Sequence, residues 1–171
     1  KVPTVMAHCI HLSDVEMDRM AETQTMVSHC PYSNVNLSSG IAPIRKLFER
    51  KIPIGLGSDI SGGHIVSMAK VLTEAIGLSK MKWVEVDQTY APLTLSEAFY
   101  MATKSGGKFF GKVGSFEKGC ELDALVIDDT TLFDPNERSL EERLERWLYV
   151  GDDRHIVERY VAGKVAPEPT N

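Results

Sequence analysis

An α/β chain built on parallel strands is what this sequence predicts, and three observations carry that expectation. Short apolar runs alternate with amphipathic stretches three times in succession, which is the pattern of repeated βα units. The third run, Ile52-Pro53-Ile54-Gly55-Leu56-Gly57, is nearly uninterrupted, as a strand covered on both faces of a parallel sheet or barrel requires. Each run also gives way to a polar residue, His8, His29 and Asp59 in turn, at the strand end where parallel α/β architectures carry their functional groups.

The elements follow in order. Thr4-Val5-Met6-Ala7 is the first strand, and Ser13 with Glu16 forms a capping box that opens a helix through about Glu22. Thr25-Met26-Val27-Ser28 is the second strand. The stretch from His29 to Gly40, punctuated by Pro31, Asn34, Asn36 and Gly40, reads as a long polar loop. Beyond it, Ile41, Ile44, Leu47 and Phe48 share one helical face. After the third strand, Ser58-Asp59-Ile60-Ser61-Gly62-Gly63 makes a turn. Ile65, Met68, Ala69, Leu72, Ala75 and Ile76 then recur with helical spacing. Thr94 and Glu97 form a second capping box, for a helix ended by Gly106-Gly107. From Gly111 onward the texture turns to β. Leu122 to Ile127 is a strand, Ser139 to Trp147 a charged helix, Val157 to Val161 a strand with a hairpin turn at Ala162-Gly163, and Pro167-Glu168-Pro169 a frayed end. The division expected is 1–110 for the βα units and 111–171 for a mainly β segment with a helix near 139–147.

Composition narrows the functional classes. With 43% hydrophobic residues among 171, the chain holds enough apolar material for a core. A formal net charge of −5 and no basic stripe argue against nucleic acid as a partner. No apolar run reaches the roughly 20 residues of a membrane span, and the start lacks the pattern of a signal peptide, so no membrane partner and a cytoplasmic location are expected. Cys9, Cys30 and Cys120 are odd in number and widely spaced, which reads as buried thiols rather than a disulfide framework or a zinc knuckle.

A histidine after a strand is more often a hydrogen-bonding residue than a ligand, and an aspartate before a helix is more often an N-cap. Three such residues at three consecutive strand ends make a stronger case. Two imidazoles and a carboxylate converging on one mouth are donor types that zinc accepts in catalytic sites. His11 reads as a solvated loop residue, and His64 and His155 as helix-start and surface residues. Gly55-x-Gly57 lacks the further glycine of a dinucleotide fingerprint.

The residues around these positions resemble the amidohydrolase superfamily, in its branch of purine, pyrimidine and triazine deaminases and chlorohydrolases. Ala7-His8 is similar to the family's histidine at the end of the sixth barrel strand. His29-Cys30-Pro31-Tyr32-Ser33-Asn34, with Leu37 and Ser39-Gly40, resembles the seventh-strand signature, and Gly55-Leu56-Gly57-Ser58-Asp59 the eighth. Gly114-Ser115-Phe116-Glu117-Lys118-Gly119 followed by Asp123-Ala124 is similar to the segment leading into the family's small β-domain. Within the branch, Leu148 to Arg154, with its Gly151-Asp152-Asp153-Arg154 stretch, looks most like the guanine deaminases.

The resemblance implies the C-terminal part of a (β/α)8 metal-dependent hydrolase barrel plus part of a small β-sandwich domain. It implies zinc-dependent hydrolytic deamination of guanine to xanthine and ammonia, a step of purine catabolism, with one zinc per site. Asp59 would be the metal ligand and a catalytic, substrate-contacting residue that accepts a proton from the attacking water. His8 would be catalytic and substrate-binding, and His29 and Asn34 would support the site structurally. The family's other ligands, a His-x-His pair and a further histidine, and its catalytic glutamate, a proton shuttle, have no counterpart here. A whole barrel takes about 250 residues. The chain is therefore expected to be a fragment, inactive alone, that completes its site with a missing N-terminal part; the family also suggests a homodimer. Other readings are a related enzyme acting on cytosine, another aminated heterocycle or a chlorotriazine, and, from another class, a noncatalytic α/β interaction domain in which Asp59 caps the helix starting near Gly63.

Overall fold

The computed structural model describes residues 2–167. The assignment of a frayed end at Pro167-Glu168-Pro169 lies, from Glu168 onward, outside the described residues. Three strands, β1 (Val5–Ala7), β2 (Met26–His29) and β3 (Ile54–Leu56), form a parallel sheet in the order β1-β2-β3. Ala7 pairs with Ser28 and His29 with Leu56, so the three strands finish nearly level. That register brings residues far apart in the chain to one rim. Val27 and Ile54 are fully buried, whereas all three residues of β1 are exposed. The sheet is thus covered at its centre and open at its β1 side.

The connections are helical. Helix α1 (Asp14–Thr23) begins at the expected capping box, with Ser13 accepting from the Glu16 backbone and Glu16 accepting from the Ser13 backbone. The stretch read as a long polar loop contains a short helix, α2 (Pro31–Asn36), with Pro31 in its first turn. Proline's fixed φ suits that position, and the burial of Ser33 and Asn34 holds the turn in place. Helix α3 (Ile44–Glu49) starts after Pro43, which leaves Ile41 outside it. Helix α4 (Met68–Glu85) starts at Ser67, so Ile65 belongs to the preceding irregular stretch. Helix α5 (Leu95–Tyr100) opens at the Thr94–Glu97 capping box and runs into a π-helical turn, Met101–Ser105. That turn packs on β3, where a Cβ at Gly55 would stand 3.1 Å from the Gly106 Cα. A glycine is needed at this close approach.

The second sheet, β4 (Ala124–Ile127), β5 (Ile156–Val161) and β6 (Lys164–Val165), is antiparallel in chain order. The β5–β6 turn sets Ala162 at φ 49° and Gly163 at φ 75°, the paired positive values that match the twist of a two-residue hairpin. Helix α6 (Leu140–Val150) follows a third capping box, Ser139 with Glu142. It lies on α4, where Lys70 Nζ donates to the Tyr149 carbonyl at 2.8 Å. One apolar core therefore runs from Val27, Leu47 and Ile54 through Leu72, Ala75 and Met101 to Trp147 and Leu148. His155, expected on the surface, is buried at 8% exposure, because the turn Asp153–His155 folds its ring back toward Asp152. No helix among the described residues is long and apolar enough to cross a membrane.

Candidate functional site

The polar residues at the three strand ends meet at one rim. His8 follows β1 and its backbone N–H still donates to Ser28 of β2, at 2.9 Å. The chain then turns sharply: Cys9 N–H donates to the Ala7 carbonyl at 2.8 Å, with His8 at φ 65° between them. A bond spanning three residues around a positive φ is a γ-turn of the rare, strained kind. It swings the imidazole off the strand line toward the end of β3. Asp59, at φ 46°, also occupies the left-handed region, which an aspartate enters more readily than most residues. Its carbonyl accepts from Gly63 N–H, closing the turn after β3.

These two bends bring His8 Nε2 to 3.7 Å from Asp59 Oδ2, with both side chains 39% exposed. On its other edge, His8 Nδ1 lies 2.8 Å from Asn34 Oδ1. Asn34 is buried on α2, 26 residues further along the chain. His29 ends β2 beneath this pair at 1% exposure. Burial first and the neighbouring His8 second push its imidazole down to about 4, so it is neutral at physiological pH. Cys30 is buried alongside, and burial, with the Asp59 charge adding to it, raises its thiol. The rim therefore carries one accessible imidazole and one accessible carboxylate over a neutral, buried floor.

Three residues not singled out by sequence complete the arrangement. A Cβ on Gly62 would stand 2.7 Å from both Asp59 Oδ2 and Ser33 Oγ, so the carboxylate occupies space that only glycine leaves free. Asn36 Nδ2 donates to the Gly62 carbonyl at 2.7 Å, tying α2 to the Asp59 turn. Ser33 and Asn36 lie in and beside the seventh-strand signature; their polarity within a short stretch was the available signal. The remaining histidines stand apart. His11 Nε2 is 2.9 Å from the Ser39 carbonyl in an exposed loop, and His64 meets Tyr32 edge-on at 5.1 Å between ring centroids. Asp59 does not cap a helix: α4 begins nine residues later, at Met68, with Ser67 at its N-cap.

A cavity of about 160 Å³ lies elsewhere, between α3, α4 and the segment 86–93. Its cations are already engaged. Arg45 is held by Glu97, and Lys82 donates to the Ile41 carbonyl at 3.0 Å.

The rim can be tested as a metal site on its own geometry. A carboxylate is a donor that zinc accepts, and the Asp59 carboxylate stands 39% exposed at the rim, open to a bound ion. Among the described residues no group of three or more His, Cys, Asp or Glu side chains is arranged to hold a metal. Asp59 fits as one member of a ligand set, and the described residues do not supply the rest of it.

Comparison with known proteins identifies the family. The family model described as the amidohydrolase family matches residues 1–166. A guanine deaminase of Dictyostelium discoideum is 40% identical over 167 residues, covering 94% of this chain and 37% of that relative. The crystal structure of a guanine deaminase from C. acetobutylicum with bound guanine in the active site superposes with a TM-score of 0.92 at 53% identity, over 96% of this chain and 39% of that one. An adenosine deaminase from Xanthomonas campestris with bound zinc superposes at 0.77 and 26% identity, over 94% and 36% of the two chains. The chain thus spans somewhat over a third of the length of the relatives it matches. With nearly every residue inside the family match and the strand-end residues gathered on one rim, this chain belongs to the amidohydrolase family.

Proposed function

We propose that this chain is the C-terminal part of a guanine deaminase, a zinc-dependent enzyme that hydrolyses guanine to xanthine and ammonia. The observation that carries the reading is the approach of His8 Nε2 to Asp59 Oδ2 at the carboxyl ends of two parallel strands. The likeness to guanine deaminases over 94% of the chain supports guanine as the substrate. Asp59 would be the ligand contributed by this chain, and the other ligands would come from the missing N-terminal part. The open β1 side of the sheet is where further strands of a (β/α)8 barrel would join. The β4–β6 sheet would be this chain's share of a small β-domain.

A bound zinc supplies acidified water, lowering its pKa from 15.7 to about 7. The chain's own residues do the rest at the rim. Asp59 accepts a proton from the attacking water on Oδ2, as that water adds to the amino-bearing ring carbon. His8, with Nε2 aimed at the same point, first receives a hydrogen bond from the water. Its Nε2 lone pair holds that water in line while the electrons of the ring carbon–nitrogen double bond move onto the ring nitrogen. The carbon–nitrogen bond then breaks as those electrons re-form the ring double bond, and the proton held by Asp59 passes to the departing amine, which leaves as ammonia. His29 stays neutral beneath and takes no proton.

The test is an assay of ammonia release by the full-length enzyme on guanine, adenine, cytosine and a methylthioadenosine-type nucleoside, with elemental analysis of the same preparation. Guanine is expected to be the preferred substrate. Asp59→Asn is expected to lower metal content and to reduce turnover by about 10²–10⁴-fold. Full zinc and full activity in that variant would refute the site, and silence on guanine with turnover of another base would refute the substrate.

A further inference from the structure

Helix α2 touches both halves of the candidate site. Asn34 reaches the imidazole of His8 at 2.8 Å, and Asn36, half a turn further on, donates to the Gly62 carbonyl at 2.7 Å, inside the turn that carries Asp59. Ser33 fills the space between, since the same point beside Gly62 lies 2.7 Å from Ser33 Oγ and from Asp59 Oδ2. The histidine and the aspartate belong to different strands, and the strand that separates them, β2, leads directly into this helix. Both partners also sit in strained or left-handed backbone, which needs outside contacts to persist.

The geometry points to α2 as the element that sets the His8–Asp59 separation, with Asn34 and Asn36 as positioning residues, and to Asn34 as the group that decides which ring nitrogen of His8 faces Asp59. The inference rests on the reading of His8 and Asp59 as the reacting pair. Asn34 Oδ1 is an acceptor, so the proton on the imidazole resides on Nδ1 and the free electron pair on Nε2 is directed to Asp59 and the reacting atoms. A neutral imidazole carries one donor and one acceptor, and a hydrogen bond to one nitrogen assigns the role of the other. Asn34 is 1% exposed, so water does not compete for that bond. Its Nδ2 is buried with no hydrogen-bond partner among the described residues. The contact with His8 is therefore the polar function this side chain performs here. Asn36 acts from the other side by pinning the carbonyl of Gly62, whose missing Cβ is what lets the carboxylate lie where it does.

The experiment uses the full-length enzyme with three variants, Asn34→Leu, Asn34→Asp and Asn36→Ala, and two readouts. One is the tautomer of His8, from ¹⁵N spectra of histidine-labelled protein, with the His8 signals identified by their loss in a His8→Gln variant. The other is kcat against KM on guanine. The expected result is an Nδ1-protonated ring in the unaltered enzyme, kept in Asn34→Asp and lost in Asn34→Leu. With it, kcat should fall about 10–100-fold in Asn34→Leu while KM stays within about threefold, the range seen when an orienting partner is removed. Asn34→Asp should recover most of the loss, and Asn36→Ala should lower kcat several-fold from an exposed position that leaves folding intact. A ring protonated on Nε2 in the unaltered enzyme would overturn the inference. So would an unchanged tautomer and kcat in Asn34→Leu, even if that variant were less stable. Should Asn34→Leu fail to fold, the resident tautomer and Asn36→Ala decide: unchanged kcat in Asn36→Ala would remove the clamp. An enzyme inert on guanine with the Nδ1 tautomer in place would instead refute the substrate and leave the positioning role standing.

Discussion

At the residue scale, the candidate site is a contrast between two histidines at neighbouring strand ends. His8 is bent out of its strand by a γ-turn and reaches the rim, whereas His29 continues its strand line and is sealed at 1% exposure. Sealing has a thermodynamic consequence. The folded ring stays neutral down to about pH 4, while an imidazole in the unfolded chain takes up its proton near 6.5. Between those values the unfolded chain binds more protons than the folded one. Stability is thus whole above about pH 6.5 and declines as the pH falls toward 4, by about 3 kcal/mol in all. Urea unfolding of the full-length enzyme at pH 7.5 and 4.5, alongside a His29→Gln variant, checks this. The variant should lose about 2 kcal/mol less over that interval than the parent, and equal losses would show that His29 does not carry the effect.

At the scale of elements, short helices depend on their ends and on a few ionic ties. Glu97 illustrates both. It closes the capping box of α5 by accepting from the Thr94 backbone, and it takes a two-pronged contact from Arg45 of α3, at 2.5 and 2.8 Å. Arg45 also donates to the carbonyls of Ala91 and Pro92, so one guanidinium fastens α3, the 86–93 segment and α5 together. The Glu97 contact raises the Arg45 guanidinium, and Arg45 in turn holds the Glu97 carboxyl below its usual range. Lysine cannot reproduce the fork. Arg45→Lys is expected to lower stability by about 2 kcal/mol, the scale of charged hydrogen bonds in a half-buried setting, without altering the rim chemistry. Thermal unfolding together with turnover reads both effects; a loss below about 0.5 kcal/mol would show the tie to be no stronger than a surface pair.

At the scale of the whole molecule, the exposed surface explains what the chain can do alone. Val5 and Met6 of β1 are 42% and 45% exposed, and Leu125, Val126, Val157 and Val161 lie open on the second sheet. Apolar strands with an unpaired edge are templates for association. The 171-residue chain by itself is expected to release no ammonia from guanine and to aggregate through these faces, whereas a longer chain that completes the proposed site is expected to release ammonia. Sedimentation and the ammonia assay on the two proteins side by side test this, and a monomeric, active 171-residue chain would contradict the proposal that the site is completed from elsewhere.

Much of this was legible in the sequence because it is local. Apolar period placed β1, β2 and β3. Two capping boxes, at Ser13 and Thr94, placed two helix starts, since a serine or threonine and a glutamate three residues on satisfy each other's backbones wherever they occur. The strand-end rule singled out His8, His29 and Asp59 before any distance was known. Tertiary structure decided the rest. Pro31, Asn34 and Asn36 read as loop punctuation, and they form a helix because packing buries Ser33 and Asn34 there. His155 reads as a surface residue, and a tight turn folds it inward. The 3.7 Å between His8 and Asp59 spans 51 positions of chain and depends on strand register, two left-handed bends and the space beside Gly62. Local sequence sets which residues stand at the strand ends; only the packing of one element on another decides which of them touch.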